Sequence, residues 1–598
     1  MFVWDRKDLN DAQVAAIEHP GSVFLVACPG SGKTRTLTYK IARLLSELKS
    51  DKKRIVAITY THRAADEIHE RIEQLGVDTS QLWIGTIHSF CLEWILKPYG
   101  IYHPALKNGF RVINAHDTER MHEELCGVVQ GIKLNSFDCT YYFKPNGYVL
   151  TCNQANKHQA IKGVLQAYWK ALHTERQIDF ELILFYAYQL IEDNPSISAL
   201  LGSIFECVLL DEFQDTREIQ YEILASILKM SKGGASAFVV GDPNQAIYGS
   251  LGGYAIAATE LGARCGIAFK EMDLSDNYRS SSRIVSYFSN YKMLPSKIEA
   301  AGRDKDYVSV VSFDHQTHRD ALEDELVRLI KFNVETLGIA QSEVCIVAPW
   351  WIHLASMTRR LVAALPAYSF DGPGMVPFAR DIDNFWYKLA RIILTEASPK
   401  LYVRRMRWAG EVIAGLSDAG VEVPGLDRKT LLRVCNTITI KESDGLTFLR
   451  EFFDHLCSAF GIDRHICAVL QEHHDAFFEC SQRRIDKLIK EGSEAIAELT
   501  MFKKVFADRT GITVSTIHGV KGAEYDAVIA YGLLDGMVPH FSDQNQAETA
   551  KKLMYVVSSR ARKNLHLISE RGRSRGRRGD YQPTDVLTKC AFRYDELI

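Results

Sequence analysis

Residues 22–34, Ser-Val-Phe-Leu-Val-Ala-Cys-Pro-Gly-Ser-Gly-Lys-Thr, constrain this chain more than any other stretch. A short apolar run stops in a glycine-rich turn with one lysine and one threonine, and an amphipathic stretch from Arg35 follows. That order predicts strand, phosphate loop and helix. Gly30 and Gly32, with Ser31 between them, let backbone N–H groups converge on an anion. The helix N-terminus adds unpaired donors and the positive end of its dipole. Lys33 then reaches β- and γ-phosphates, and Thr34 offers its hydroxyl to a magnesium ion bridging them. The strict pattern opens with glycine, where this chain has Ala27.

At 598 residues the chain exceeds one ordinary core; domains of about 100–200 residues predict roughly three or four. Hydrophobic content of 46% and charged content of 24% are those of a globular protein. No apolar run is long enough to cross a bilayer, and the opening Met1 to Lys7 is no signal peptide, so the expectation is a cytoplasmic protein with no membrane partner. The 13 cysteines form no Cys-x-x-Cys pair, which argues for reduced, mostly buried thiols rather than a zinc ribbon or disulfides. A net charge of -3 neither advertises nor excludes nucleic acid, because a neutral total can hide a basic channel.

Upstream of the loop, Leu9 to Ile17 reads as a short helix opened by an Asn/Asp cap. Its Gln13 carries a planar amide, both donor and acceptor, suited to an adenine edge. A second buried strand over 54–60 ends in Tyr60 and leads into a helix. A third apolar stretch ends in Gly85-Thr86-Ile87-His88-Ser89-Phe90. Hydroxyls and aromatics at the carboxyl edge of a parallel sheet suit a sugar-phosphate strand, although each segment alone reads as an ordinary helix cap. From Lys97 to about Gln177 strand-helix alternation lapses into an inserted subdomain, with Tyr141 to Tyr148 as a turn-rich piece between helices. Alternation returns and reaches Cys207-Val-Leu-Leu-Asp211-Glu212, four apolar residues ending in adjacent acids. Asp211 can hold a magnesium shell and Glu212 can orient and deprotonate an attacking water. A further strand, from Phe238, ends in a polar turn that places Gln245 to sense a γ-phosphate.

These segments, with Leu274-Ser-Asp-Asn-Tyr278-Arg279-Ser280, Val514 to Tyr525 and Tyr555 to Ala561, occur in the order of the motifs of superfamily 1 DNA helicases. The chain resembles the UvrD/Rep/PcrA type. The resemblance implies an α/β fold of two tandem RecA-like domains, each parallel sheet flanked by helices and each core with a mainly helical insertion. Expected boundaries are 1–96 and 178–280 for the first core, with 97–177 inserted, then 281–396 and 508–598 for the second, with 397–507 inserted. It also implies ATP and Mg2+ as cofactors, bound where the cores meet. Gln13 would read adenine between Arg35 and Tyr278, Arg279 and Arg560 would reach the γ-phosphate, and Glu524 would contact the ribose. Single-stranded DNA, and junctions of single- and double-stranded DNA, would pass Tyr60, Thr86, His88 and His518. The implied activity is ATP-dependent, 3′-to-5′ DNA strand separation.

One departure stands out. Where the family usually has an aromatic after Ile-Tyr-Gly, this chain has Ser250. Stacking on a base is worth about 1–3 kcal/mol, and a serine supplies none of it. Either coupling is weaker or Tyr248, Tyr254 or a residue elsewhere takes its place. The second insertion is short for the family and has a His/Cys group (His465, Cys467, His473, His474, Cys480) whose spacing fits helix faces better than zinc. Five arginines among glycines over 571–579 suit either a phosphate backbone or a solvated loop, and no nuclease signature follows. Two alternatives therefore accompany the helicase reading: a DNA-stimulated ATPase that does not separate strands, and an ATP-gated DNA sensor controlling a nuclease or effector partner, as in anti-phage defence.

Overall fold

The computed structural model describes residues 8–372, 376–378, 381, 384–490, 494–507, 510–543, 545–576 and 579–596. The opening heptapeptide and Arg577 and Arg578 of the arginine-glycine stretch lie outside the described residues. The chain divides into two compact units, one of Met1–Ser312, Leu534–Leu565 and Pro583–Ile598, the other of Phe313–Leu533 and His566–Gln582.

In the first unit six strands, β1 (Val23–Ala27), β2 (Arg54–Thr59), β3 (Leu82–Thr86), β4 (Phe205–Asp211), β5 (Ser236–Gly241) and β6 (Lys270–Leu274), form one sheet in the order β6-β1-β5-β4-β2-β3. Every pairing in it is parallel. Successive side chains of a strand point to opposite faces, and both faces here are apolar. Val23, Leu25, Ile55, Ala57, Leu209, Phe238 and Val240 pack with Leu37, Ile41 and Ile68 of the helices Lys33–Glu47 and His62–Gln74. Phe24, Val56, Ile58, Val208, Leu210 and Val239 face the opposite core, with helices Phe180–Asp193 and Glu218–Met230. Burial on both sides explains why these strands read as continuous apolar runs.

The first insertion shares that second core, because Tyr141, Phe143, Tyr168 and Leu172 belong to the same cluster. The expected turn-rich piece between helices is instead an antiparallel hairpin, Tyr141–Lys144 against Gly147–Leu150. Alternation decides it. Tyr141 and Phe143 turn inward, Phe143 stacking on Phe185 at 4.1 Å, while Lys144 is exposed. Beneath the hairpin the buried Asp179 accepts from Tyr141 (3.0 Å), Tyr168 (2.9 Å) and the Leu182 N–H (2.8 Å), so one carboxylate caps a helix and anchors the insertion.

The second unit carries four parallel strands, β7 (Val344–Ala348), β8 (Phe370–Asp371), β9 (Ile512–Thr516) and β10 (Tyr525–Ala530), in the order β10-β7-β9-β8. Its insertion is helical, with a separate core around Trp386, Phe453, Phe477 and Phe502. There His473 accepts the Phe385 N–H at 3.2 Å and His474 packs on Trp386 and Phe478, the contacts of a helix face. The stretch that follows Tyr307 becomes a strand only at Val311 and runs to Asp314. Val308 is 91% exposed, and the Val310 N–H is taken by the side chain of Asn564 at 3.0 Å. No helix among the described residues is long and apolar enough to cross a membrane.

Candidate nucleotide and nucleic-acid site

The loop after β1 is clamped from the segment that follows β6. Cys28 N–H donates to Leu274 O (3.0 Å), Asn277 Nδ2 to Pro29 O (2.6 Å) and Tyr278 N–H to Gly30 O (2.9 Å). Gly30 and Gly32 have φ of +70° and +81°, where a Cβ is strained. A Cβ on Gly30 would also meet Arg279 Cβ at 2.5 Å, and one on Gly32 would meet Gln13 Nε2 at 2.6 Å. The two bare Cα atoms therefore keep a cradle open at the start of helix Lys33–Glu47, and that cradle fits a phosphate.

Asp211 and Glu212 close the other side. Glu212 adopts a left-handed conformation (φ 52°, ψ 46°) that costs a non-glycine residue roughly 1–2 kcal/mol. Lys33 Nζ lies 3.7 Å from Glu212 Oε1. Asp211 is buried, and burial together with the adjacent Glu212 charge raises its carboxyl to about 7, against the opposing pull of Lys33. A pair of acids that cannot both ionise comfortably is a donor set suited to a divalent cation. Asp211 and Thr34 would hold Mg2+ there, and the ion would neutralise phosphate charge.

From Glu212 a chain of contacts runs through the unit. Gln214 Nε2 donates to Glu212, and Gln214 Oε1 accepts the Asp242 N–H at 3.0 Å. Asp242 Oδ2 accepts from Gln245 Nε2 (2.8 Å) and from Tyr555 OH (3.3 Å). Gln245 Oε1 in turn accepts from Arg560 Nη2 at 2.7 Å. Arg560 is only 2% exposed, with Nε on Val556 O at 3.0 Å. Arg279 sits beside it through Nη1 to Ser559 O at 2.9 Å. One permanently charged guanidinium, that of Arg560, thus reaches Asp242 through Gln245, and a second, that of Arg279, is held on the Ser559 carbonyl.

On the other flank of the loop, Gln13 Nε2 donates to Ser31 O (2.8 Å) and Gln13 Oε1 accepts the Asn10 N–H (3.0 Å). Asn10 also donates to Tyr278 OH at 2.9 Å. Arg35 and Tyr278 are exposed at the surface, and partial burial of the phenol, with the Asp276 charge, raises Tyr278 against the opposing pull of the Asn10 hydrogen bond and the Arg35 charge. A planar cation and a phenol beside an amide form a lip on which a base could lie.

Two family models match the chain, the UvrD/REP helicase N-terminal domain over residues 9–255 and the UvrD-like helicase C-terminal domain over residues 466–572. The first contains the loop, the acids and Gln245; the second contains Glu524 and Arg560. The chain belongs to the UvrD/Rep/PcrA family of superfamily 1 helicases. It is 25% identical to the ATP-dependent DNA helicase PcrA of Leuconostoc citreum over 94% of this chain and 82% of that protein. DNA helicase II of Haemophilus influenzae is 24% identical (93% and 83% covered), and a probable DNA helicase II homologue of Rickettsia felis 26% (94% and 93%). The fold accordingly is two tandem RecA-like domains with parallel sheets flanked by helices.

Three of the residues that resemble the family's DNA contacts, Tyr60, Thr86 and His88, stand at or just past the carboxyl ends of β2 and β3. Tyr60, 44% exposed, stacks on Tyr248 with centroids 5.2 Å apart. Thr86 caps the short helix carrying His88, whose ring meets the edge of Phe180 at 5.6 Å. Burial, with the charge of Arg217, lowers His88 to about 3 and keeps it neutral. His518 and Glu524 stand in the second unit, between β9 and β10. In the arginine-glycine stretch Arg571 donates to His315 O (2.8 Å), Arg573 pairs with buried Glu570, and Arg575 lies over Tyr581 at 5.1 Å.

Gln214, Asp242, Asn277 and Tyr555 were not assigned roles from sequence, although each stands within a motif. Their neighbours left a signal. A Cβ on Gly241 would lie 2.3 Å from Gln214 Oε1, so a glycine ending a buried strand marks the close approach.

Proposed function

We propose that this member of the family is an ATP-dependent DNA helicase that moves 3′-to-5′ on single-stranded DNA and separates the duplex ahead. The observation that carries the reading is the bonded line from Lys33 through Glu212, Gln214, Asp242 and Gln245 to Arg560. It connects the group that would position an attacking water to the guanidinium that would meet the γ-phosphate. Bound ATP supplies the phosphoryl group and Mg2+ its charge neutralisation. Lys33 and the loop N–H groups hold the phosphates, Glu212 takes the water proton, and Arg279 and Arg560 stabilise the charge that develops, a contribution of about 10³–10⁵ in rate for an arginine finger. Gln13, Arg35 and Tyr278 hold the adenine.

Ser250 favours a second reading, a DNA-stimulated ATPase that does not separate strands by itself. It is exposed and offers no ring. The Tyr60–Tyr248 stack supports the first reading, because it presents an aromatic platform to single-stranded DNA next to that serine. Strand displacement by the purified chain on 3′-tailed and 5′-tailed duplexes is the test. Unwinding with ATP on the 3′-tailed substrate alone is expected. Unwinding from the 5′ tail alone overturns the direction, and ATP turnover without displacement on either overturns autonomous helicase action.

A further inference from the structure

Past Tyr248 the chain runs Gly249-Ser250-Leu251-Gly252-Gly253, and the inserted hairpin covers that turn. Gly252 has φ +90°, and a Cβ there would lie 2.8 Å from Cδ2 and Cε2 of Tyr142. The half-buried ring thus rests against a bare Cα. The guanidinium of Arg217 stands over the same ring, 5.6 Å from its centroid. Arg217 is itself held by Glu181 at 2.6 Å, and its backbone bridges Gly253. Tyr254 N–H donates to Thr216 O at 2.9 Å, and Lys144 of the hairpin pairs with Glu218 at 3.5 Å. Tyr142 therefore touches two segments at once: one runs back along the chain to Glu212, and the other carries Tyr248.

We propose that Tyr142 is a positioning residue. Its ring sets the Tyr248–Gly253 turn against Arg217, so that DNA on the Tyr60–Tyr248 stack is registered along residues 212–217 and changes the rate of ATP turnover. This inference rests on the reading that those tyrosines receive single-stranded DNA. The contact requires the ring rather than the hydroxyl, because ring carbons face Gly252 and the cation lies over the ring. In this chain an insertion aromatic steadies a turn whose Ser250 offers no ring.

The full chain is compared with Tyr142→Ala, Tyr142→Phe, Gly252→Ala and the Tyr142→Ala/Gly252→Ala pair, in two measurements. One is hydrogen exchange of the 246–256 segment without DNA. The other is ATP turnover as oligothymidylate is titrated. Tyr142→Ala should speed exchange of the turn, and raise the oligothymidylate needed for half-maximal turnover, each about tenfold, the scale of one packed cation–π contact. Turnover without DNA should stay within about twofold, since Tyr142 makes no bond to the line from Lys33 to Arg560. Tyr142→Phe should match the wild type, and Gly252→Ala should reproduce the DNA defect without adding to Tyr142→Ala in the pair. Equal loss in Tyr142→Phe, unchanged exchange in Tyr142→Ala, or a parallel fall of basal and stimulated turnover would overturn the proposal. If Tyr142→Ala does not fold, Gly252→Ala reads the same contact from the other side with the hairpin core intact. If wild-type turnover ignores oligothymidylate, the DNA reading falls, while the exchange measurement still decides whether Tyr142 holds the turn.

Discussion

Glu212 shows how much chemistry one residue carries. Its left-handed backbone places a carboxylate between Lys33 and Gln214. Lys33→Ala and Glu212→Gln should each lower ATP turnover by about 10³-fold. Glu212→Gln should still bind a fluorescent ATP analogue, whereas Lys33→Ala should bind it weakly. Full turnover in either variant would remove the assignment. The neighbouring Asp211 makes a pH prediction. Its carboxyl stands at about 7 in the folded protein against an ordinary 3.8, so the folded state holds a proton that the unfolded state has released between those values. This group therefore contributes stability that declines as pH rises from about 4 to 7 and is absent above. Binding Mg2+ and nucleotide requires the carboxylate, so binding should release a proton at pH 6 and none at pH 8.5. Calorimetric heats compared in buffers of different ionisation enthalpy measure this; buffer-independent heats at pH 6 would contradict it.

Among elements, the hairpin of the first insertion is the instructive case. Its alternation was present in the letters, Tyr-Tyr-Phe-Lys across a Pro-Asn-Gly turn from Tyr148, yet the run is too short to distinguish from turn-rich chain without a partner strand. The packing that settles it comes from Phe185 and Asp179, residues well downstream. Asp179→Ala removes a helix cap and takes one acceptor from each of two buried tyrosine hydroxyls, and should cost about 2–4 kcal/mol. A urea melt would show it as a lower midpoint with unchanged slope. A loss under about 0.5 kcal/mol would mean that the carboxylate is incidental.

At the scale of the molecule, the two insertions are built differently. The first is continuous with the core under the first sheet, while the helical one has its own core around Trp386. Trp386→Ala should cost about 3–5 kcal/mol locally and lower one calorimetric transition. A second transition, raised by Mg2+ and ATP, should keep its midpoint, and a joint fall of both would show that the helical core does not melt by itself. The local chemistry was legible in the chain order, because a phosphate loop and adjacent acids at a strand end require particular residue types at fixed local spacings. Those constraints act within a few residues, so the amino-acid sequence alone pointed to the loop glycines, the strand ends that carry the loop and the acids, and Lys33, Asp211 and Glu212, while Arg560 came from the resemblance in motif order. Only the tertiary structure decided that Gln214 and Asp242 connect Glu212 to Gln245, that Gln13 holds the loop backbone, and that Tyr142 presses on Gly252. Each of these joins residues through side-chain reach across separate strands, and no local spacing encodes which distant partner a buried amide, carboxylate or ring will meet.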